Sequence, residues 1–151
     1  MLVFGSGAGS ETGYLAAALK RGRVTCLDVS SVWLAEARRR LRRHSNVDFI
    51  LGEAPEVGLA PASFNMILAH YSIHDVDRSA SPVTLTALAR ALKAGGRFVV
   101  VEPAARGHIH HALSPEELHD YMAAAGLDEV SLEEIASLPG GAYESVFRRR
   151  G

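Results

Sequence analysis

The sequence predicts an α/β domain: a mostly parallel sheet with helices on both faces, three layers in all, finished by a C-terminal hairpin that adds an antiparallel strand. Three observations predict it. Short apolar runs alternate along the chain with segments of helical period, which is the pattern of βαβ units. The first run ends in a glycine-rich turn that leads into a helical pattern. The last two runs flank Pro139-Gly140-Gly141, a turn signal that joins neighbouring antiparallel strands.

The elements follow in order. Met1 to Phe4 is a short strand, and the helix after it is expected to bury Tyr14, Leu15, Ala18 and Leu19, with Gly22 closing the unit. Arg23 to Leu27 is the second strand, ending at Asp28. Ser30 or Ser31 caps the next helix, whose expected buried stripe is Trp33, Leu34, Ala37 and Leu41. Val47 to Leu51 is the third strand. Phe64 to Ala69 is the fourth, apolar enough for burial on both faces. Ser81 and Pro82 read as a cap and first helical position, with Leu85, Leu88 and Leu92 facing inward and Gly95-Gly96 ending the helix. Arg97 to Val101 is the fifth strand. Ser114-Pro115-Glu116-Glu117 has the form of a capping box with proline at the first position, and Gly126 stops that helix.

Composition bounds the function. At 48% hydrophobic and 22% charged, the chain is globular rather than disordered. Its 151 residues fit a single domain, 1–151, large enough to form a core without disulfides or metal. Cys26 is the one cysteine, which excludes an intrachain disulfide, and its apolar setting reads as a small buried hydrophobe. A net charge of −1 argues against nucleic acid or an anionic membrane as the partner of the whole surface, while leaving room for a local basic patch, and no membrane partner is expected. No apolar run reaches the length of a membrane span, and the N-terminus lacks the basic lead of a signal peptide, so the expected location is the cytoplasm.

In such sheets ligands bind beyond the carboxyl ends of the strands, beside the first strand, and the residues with chemical potential fall there. Gly5-Ser6-Gly7-Ala8-Gly9 joins strand to helix; glycine lets the backbone approach a ligand closely, and free amides at the helix start can receive its oxygens. The spacing is G-x-G-x-G. The dinucleotide pattern G-x-G-x-x-G would need a third glycine at Ser10 or Thr12. A tight turn without a ligand is the plain alternative.

This turn resembles the first motif of the class I S-adenosylmethionine-dependent methyltransferases, especially the group acting on small molecules and quinone precursors. The resemblance extends along the chain: Asp28 ending the second strand, Gly52-Glu53-Ala54 after the third, FNMILAHYSIHDV around the fourth, ALKAGGRFVVVEP leading through the fifth, and LSPEELHDYMAAAGL at the last helix. It implies a Rossmann-like fold, S-adenosylmethionine as cofactor and a small-molecule methyl acceptor. It implies cofactor contacts from Gly5, Ser6, Gly7 and Gly9, from Asp28 at the ribose, from Glu53 and Ala54 at the adenine, and from Val29 and Ala69. A carboxylate at Asp28 suits two ribose hydroxyls. His74 is the first candidate for a general base, with Tyr71 and His70 beside it, although a structural loop histidine fits equally. Glu102 could face the acceptor or accept from a neighbouring amide. The amino-adenine methylating signature is absent, since the chain reads Ala69-His70-Tyr71-Ser72 there.

Two departures are visible. The family's usual acid two residues before the first glycine is Val3 here, and the family's helical segment ahead of the first strand has no counterpart in this sequence. The expectations that follow are a methyl-transfer site left open, or one covered by a second copy or a partner. A non-catalytic cofactor-binding module is the alternative function, and an NAD(P)-dependent oxidoreductase a weaker one that Asp28 alone supports. No metal is expected: His108, His110 and His111 lack the further ligands of a zinc site. The arginine run at 38–43 reads as a solvated helix end, and Arg148 to Arg150 as a frayed tail.

Overall fold

The computed structural model describes residues 1–104, 112–136 and 141–151. Seven strands form one sheet: β1 (Leu2–Phe4), β2 (Val24–Asp28), β3 (Val47–Leu51), β4 (Phe64–His70), β5 (Leu92–Pro103), β6 (Leu127–Ile135) and β7 (Ala142–Arg149). Their order is β3-β2-β1-β4-β5-β7-β6. β1 pairs in parallel with β2 and β4, β2 with β3, and β4 with β5. β7 runs antiparallel to both β5 and β6, as the hairpin signal predicts. The chain first winds outward from β1 to β3, then crosses back to β4 on the other side of β1. That reversal opens a crevice at the carboxyl ends of β1 and β4.

Among the described residues four α-helices cover the sheet: α1 (Ser10–Ala18), α2 (Ser31–Arg40), α3 (Ser81–Ala91) and α4 (Pro115–Ala124). Side chains alternate across the strands and so assign each helix to a face. Leu2, Phe4, Leu27, Ile67 and Ala69 pack with Leu85 and Leu88 of α3 and Leu118 and Met122 of α4. On the other face Val3 and Val24 pack with Ala16 of α1, and Cys26 with Leu34, Ala37 and Leu41 at α2. The Ser114 capping box forms in full, and the Ser30 hydroxyl accepts from the Trp33 amide at 3.2 Å, which makes Ser30 the cap of α2.

Several sequence expectations are corrected. α1 buries Thr12 and Ala16, and Tyr14 is 80% exposed. The reason is close packing: a side chain on Gly9 would meet Leu41 at 2.8 Å and one on Gly13 would meet it at 3.5 Å, so α1 lies against its neighbour through small residues. Trp33 leaves the α2 stripe and is 54% exposed. α3 is capped at Ala80, with Ser81 as its first residue, and ends at Ala91 rather than at the double glycine. β5 consequently starts at Leu92 and shifts register against β4 before Arg97. In β4 only Ile67 and Ala69 are fully buried. Arg149 is no frayed end: its guanidinium donates to the carbonyls of Ala89 at 3.1 Å, Arg90 at 2.7 Å and Leu92, the trailing carbonyls of α3. No helix among the described residues is long and apolar enough to cross a membrane.

Candidate functional site

A cleft of about 510 Å³ opens at the reversal between β1 and β4, within the range of about 300–1,000 Å³ usual for small-molecule sites. Its walls come from four loops. The glycine turn supplies Gly5 and Gly7, and the end of β2 supplies Asp28, Val29 and Ser30, with Trp33 following on α2. The turn after β3 supplies Glu53 and Ala54; the segment after β4 supplies Tyr71, Ser72, Asp75 and Asp77.

The glycine turn takes its shape from its own backbone and from Asp28. Gly5 and Gly7 lie at φ 62° and 51°, a region side chains avoid. Gly5 has a second reason to be glycine, because a Cβ there would come 2.3 Å from the Cβ of Ser72. The Asp28 carboxylate accepts from the Gly7 amide through Oδ2 and from the Ser30 amide through Oδ1, each at 2.8 Å. These two bonds tie the first loop to the second, and each oxygen keeps a lone pair for a further donor.

The segment after β4 is built on Glu102, which is 2% exposed at the end of β5. Its Oε1 accepts from the amides of Ser72 at 2.8 Å and Ile73 at 2.7 Å, and its Oε2 lies 2.6 Å from His74 Nδ1. Of the two roles the sequence leaves open for Glu102, the structure shows the amide acceptor. Tyr71 is held at φ 51°, a conformation uncommon for a side chain of its size, while its amide donates to Val101 O at 2.8 Å. Its ring meets those of His70 at 4.9 Å and His74 at 6.4 Å, edge to face.

The residues expected from the sequence therefore separate. Gly5, Gly7, Asp28, Val29, Glu53, Ala54 and Tyr71 come together on the cleft wall. Ser6, Gly9 and Ala69 do not line it: Ser6 is buried, Gly9 packs on Leu41, and Ala69 lies inside the sheet between Phe4 and Val100. His74 stands behind Tyr71 with Nδ1 on Glu102, and His70 leans toward Glu11 of α1 at 3.8 Å. His108, His110 and His111 lie outside the described residues, and among the described ones no group of three or more ligands is placed to hold a metal.

Sequence reasoning missed three features of the wall. Trp33 lines it from the first turn of α2, one position off the buried stripe. Ser72 presents a buried hydroxyl with no hydrogen-bond partner in the protein. Asp75 and Asp77 make the lining strongly acidic, a signal that was readable in the HDVD stretch. The wall carries four carboxylates, from Asp28, Glu53, Asp75 and Asp77, and no lysine or arginine among the described residues.

Comparison with known proteins agrees with this geometry. A family described as "Methyltransferase domain" matches residues 1–96. The chain is 34% identical over 96 residues to the ubiquinone/menaquinone biosynthesis C-methyltransferase UbiE of Rubrivivax gelatinosus, covering 64% of this chain and 36% of that protein. It is 33% identical over 97 residues to the 2-phytyl-1,4-naphtoquinone methyltransferase of Thermosynechococcus vestitus, covering 64% and 42%. The chain thus spans under half the length of these curated relatives. Among solved structures, the N-methyltransferase NodS of Bradyrhizobium japonicum, in complex with S-adenosyl-L-homocysteine, superposes with a TM-score of 0.87 at 20% identity, over 99% of this chain and 77% of that one. The matched stretch takes in β1 to β4 and α3, with the glycine turn, Asp28 and the acidic wall, and on that match the chain belongs to the methyltransferase domain family.

Proposed function

We propose that this protein is an S-adenosylmethionine-dependent methyltransferase acting on a small molecule. The observation that carries the proposal is the charge of the cleft: among the described residues four carboxylates and no lysine or arginine line it, around a glycine turn whose Gly7 amide donates to Asp28. A cofactor bearing a sulfonium and an ammonium group is attracted to such a wall, whereas the pyrophosphate of a nicotinamide dinucleotide is repelled by it. The glycine spacing argues the same way. The buried, unpartnered hydroxyl of Ser72, packed against Gly5, offers a further polar contact.

When bound, S-adenosylmethionine supplies an activated methyl group on sulfur. The chain's own residues hold and orient. Asp28 would accept from the ribose hydroxyls with its remaining lone pairs, and Val29, Glu53 and Ala54 would frame the adenine. Gly5 and Gly7 would let the backbone approach, while Ser6, Gly9 and Ala69 shape the turn from behind. Where the acceptor must lose a proton, Tyr71 is the group on the wall and His74 the group behind it. Glu102 holds His74 Nδ1, and the other ring nitrogen, Nε2, lies 3.8 Å from Asp75 of the wall.

The names of the curated relatives are the reason to place quinols and other phenols first among acceptors. The test is formation of S-adenosylhomocysteine across a panel of phenols, amines and thiols, repeated with Tyr71→Phe and His74→Gln. Turnover with one acceptor class, reduced in both variants, supports the reading. Cofactor binding without turnover for any class would make the domain a binding module or one part of a larger enzyme.

A further inference from the structure

We propose that the outer face of α2, together with the turns that follow α1 and α2, docks onto an anionic lipid bilayer. The chain as a whole carries a charge of −1, but that charge is unevenly placed. Between Lys20 and Asp48 it has eight lysines and arginines against three carboxylates. One of the three, Asp28, is turned to the cleft. The other two, Glu36 and Asp48, pair with Arg39 and Arg23. The structure gathers the cations. Asn46 Nδ2 lies 3.0 Å from Ala16 O, 3.1 Å from Leu19 O and 3.3 Å from Gly22 O, which pins the turn after α2 to the end of α1. Lys20, Arg21, Arg42 and Arg43 are exposed at that end.

The surface around the start of α2 is apolar and exposed, with Val29 just ahead of the helix and Leu51 at the end of β3, paired with Asp28. Val32 is 75% exposed, and Val29, Trp33 and Leu51 are all more than half exposed. Val32 and Arg39 are two helical turns apart and share the outward stripe, with Ala35 exposed beside them. α2 is about 15 Å long, so one flat contact can seat arginines among headgroups and valine and tryptophan at the acyl boundary. Basic residues beside exposed aliphatic and aromatic groups fit an interface helix. A single-stranded nucleic acid would use stacked aromatics, and of these four side chains three are aliphatic. The acidic remainder of the chain would be repelled, which fixes the orientation. Trp33 and Val29 also line the cleft, so docking sets the cleft mouth at the lipid surface.

The inference does not depend on the cofactor. Trp33 is the only tryptophan and serves as the probe. Mixed with phosphatidylcholine vesicles containing phosphatidylglycerol, the protein should co-sediment and its emission should shift to the blue. Pure phosphatidylcholine should produce neither effect, and high salt should reverse both. Neutralising Arg21, Arg42 and Arg43 to Gln should lower partitioning by about a hundredfold, at about fivefold per cation. Arg43→Gln alone, with an unchanged circular dichroism spectrum, should lower it by about fivefold. Asp28→Ala should bind vesicles as the wild type does, whatever it does to cofactor. Equal binding to neutral and anionic vesicles, no binding to either, sedimentation without an emission shift, or binding to an RNA homopolymer but not to vesicles would each overturn the proposal.

Discussion

Asp28 and Glu102 are both carboxylates that end a parallel strand, and both accept from backbone amides: Asp28 from Gly7 of the glycine turn and Ser30 of its own loop, Glu102 from Ser72, Ile73 and His74 after β4. Only Asp28 lines the cleft. It lies in the second strand beside the chain reversal, partly open, with each oxygen bonded once. Glu102 lies one strand beyond β4, 2% exposed, with His74 at 2.6 Å as a further partner. The comparison separates two uses of one residue type at one edge of a sheet. An acid with lone pairs left over beside an opening can meet a ligand. An acid whose lone pairs are taken up, and from which water is excluded, holds a loop in place for others to use.

The largest expected effect falls on Glu102. Glu102→Ala strands the Ser72 and Ile73 amides in a buried site and should cost about 3–5 kcal/mol in urea unfolding. A loss under about 1 kcal/mol would place Glu102 with the ligand groups and end the contrast. Gly5→Ala comes next. It combines a left-handed φ with a 2.3 Å approach to Ser72, and should cost about 2–4 kcal/mol and distort the cleft where the two loops touch. Asp28→Ala should do the reverse of Glu102→Ala, weakening S-adenosylhomocysteine binding by roughly thirtyfold in calorimetry while costing stability only about 1 kcal/mol. Equal losses from both carboxylates in both measurements would show that they serve alike.

The smallest effect concerns Tyr143, which pairs with Glu102 across β5 and β7 and donates to Leu113 O at 3.1 Å. Burial, and then the charge of Glu102, pushes its phenol above the ordinary range. A phenol that ionises more readily unfolded than folded favours folding below the unfolded pKa of about 10, and loses that contribution as pH rises beyond it. Tyr143→Phe should therefore cost about 1 kcal/mol at neutral pH and flatten the decline in stability above pH 10, followed by denaturation at fixed temperature.

Local signals carried the fold well. The order of runs and the Ser114 capping box each act within a few residues, the strands and helices they specify are present, and β6 pairs antiparallel with β7 as the hairpin signal predicts. The glycine turn and Asp28 were legible for the same reason, both being punctuation at a strand end. What escaped depends on residues far apart in sequence. Tyr14 and Trp33 look like core by period but are exposed, because the neighbouring packing is too close or because the first turn of α2 faces the cleft. Arg149 becomes a helix cap only because β7 returns beside the end of α3. Nothing near Ser72 says that Gly5 will press against it, or that its hydroxyl will be buried without a partner.

The acid-lined cleft is proposed to take a cationic adenosine cofactor through Asp28. The most direct test is isothermal titration of the wild type and of Asp28→Ala with S-adenosylmethionine, beside NADH as the anionic competitor. The wild type should show one saturable site for S-adenosylmethionine, folded Asp28→Ala a roughly thirtyfold weaker one, and NADH no heat of binding. Binding of NADH in preference, or S-adenosylmethionine bound equally well without the Asp28 carboxylate, would contradict that proposal.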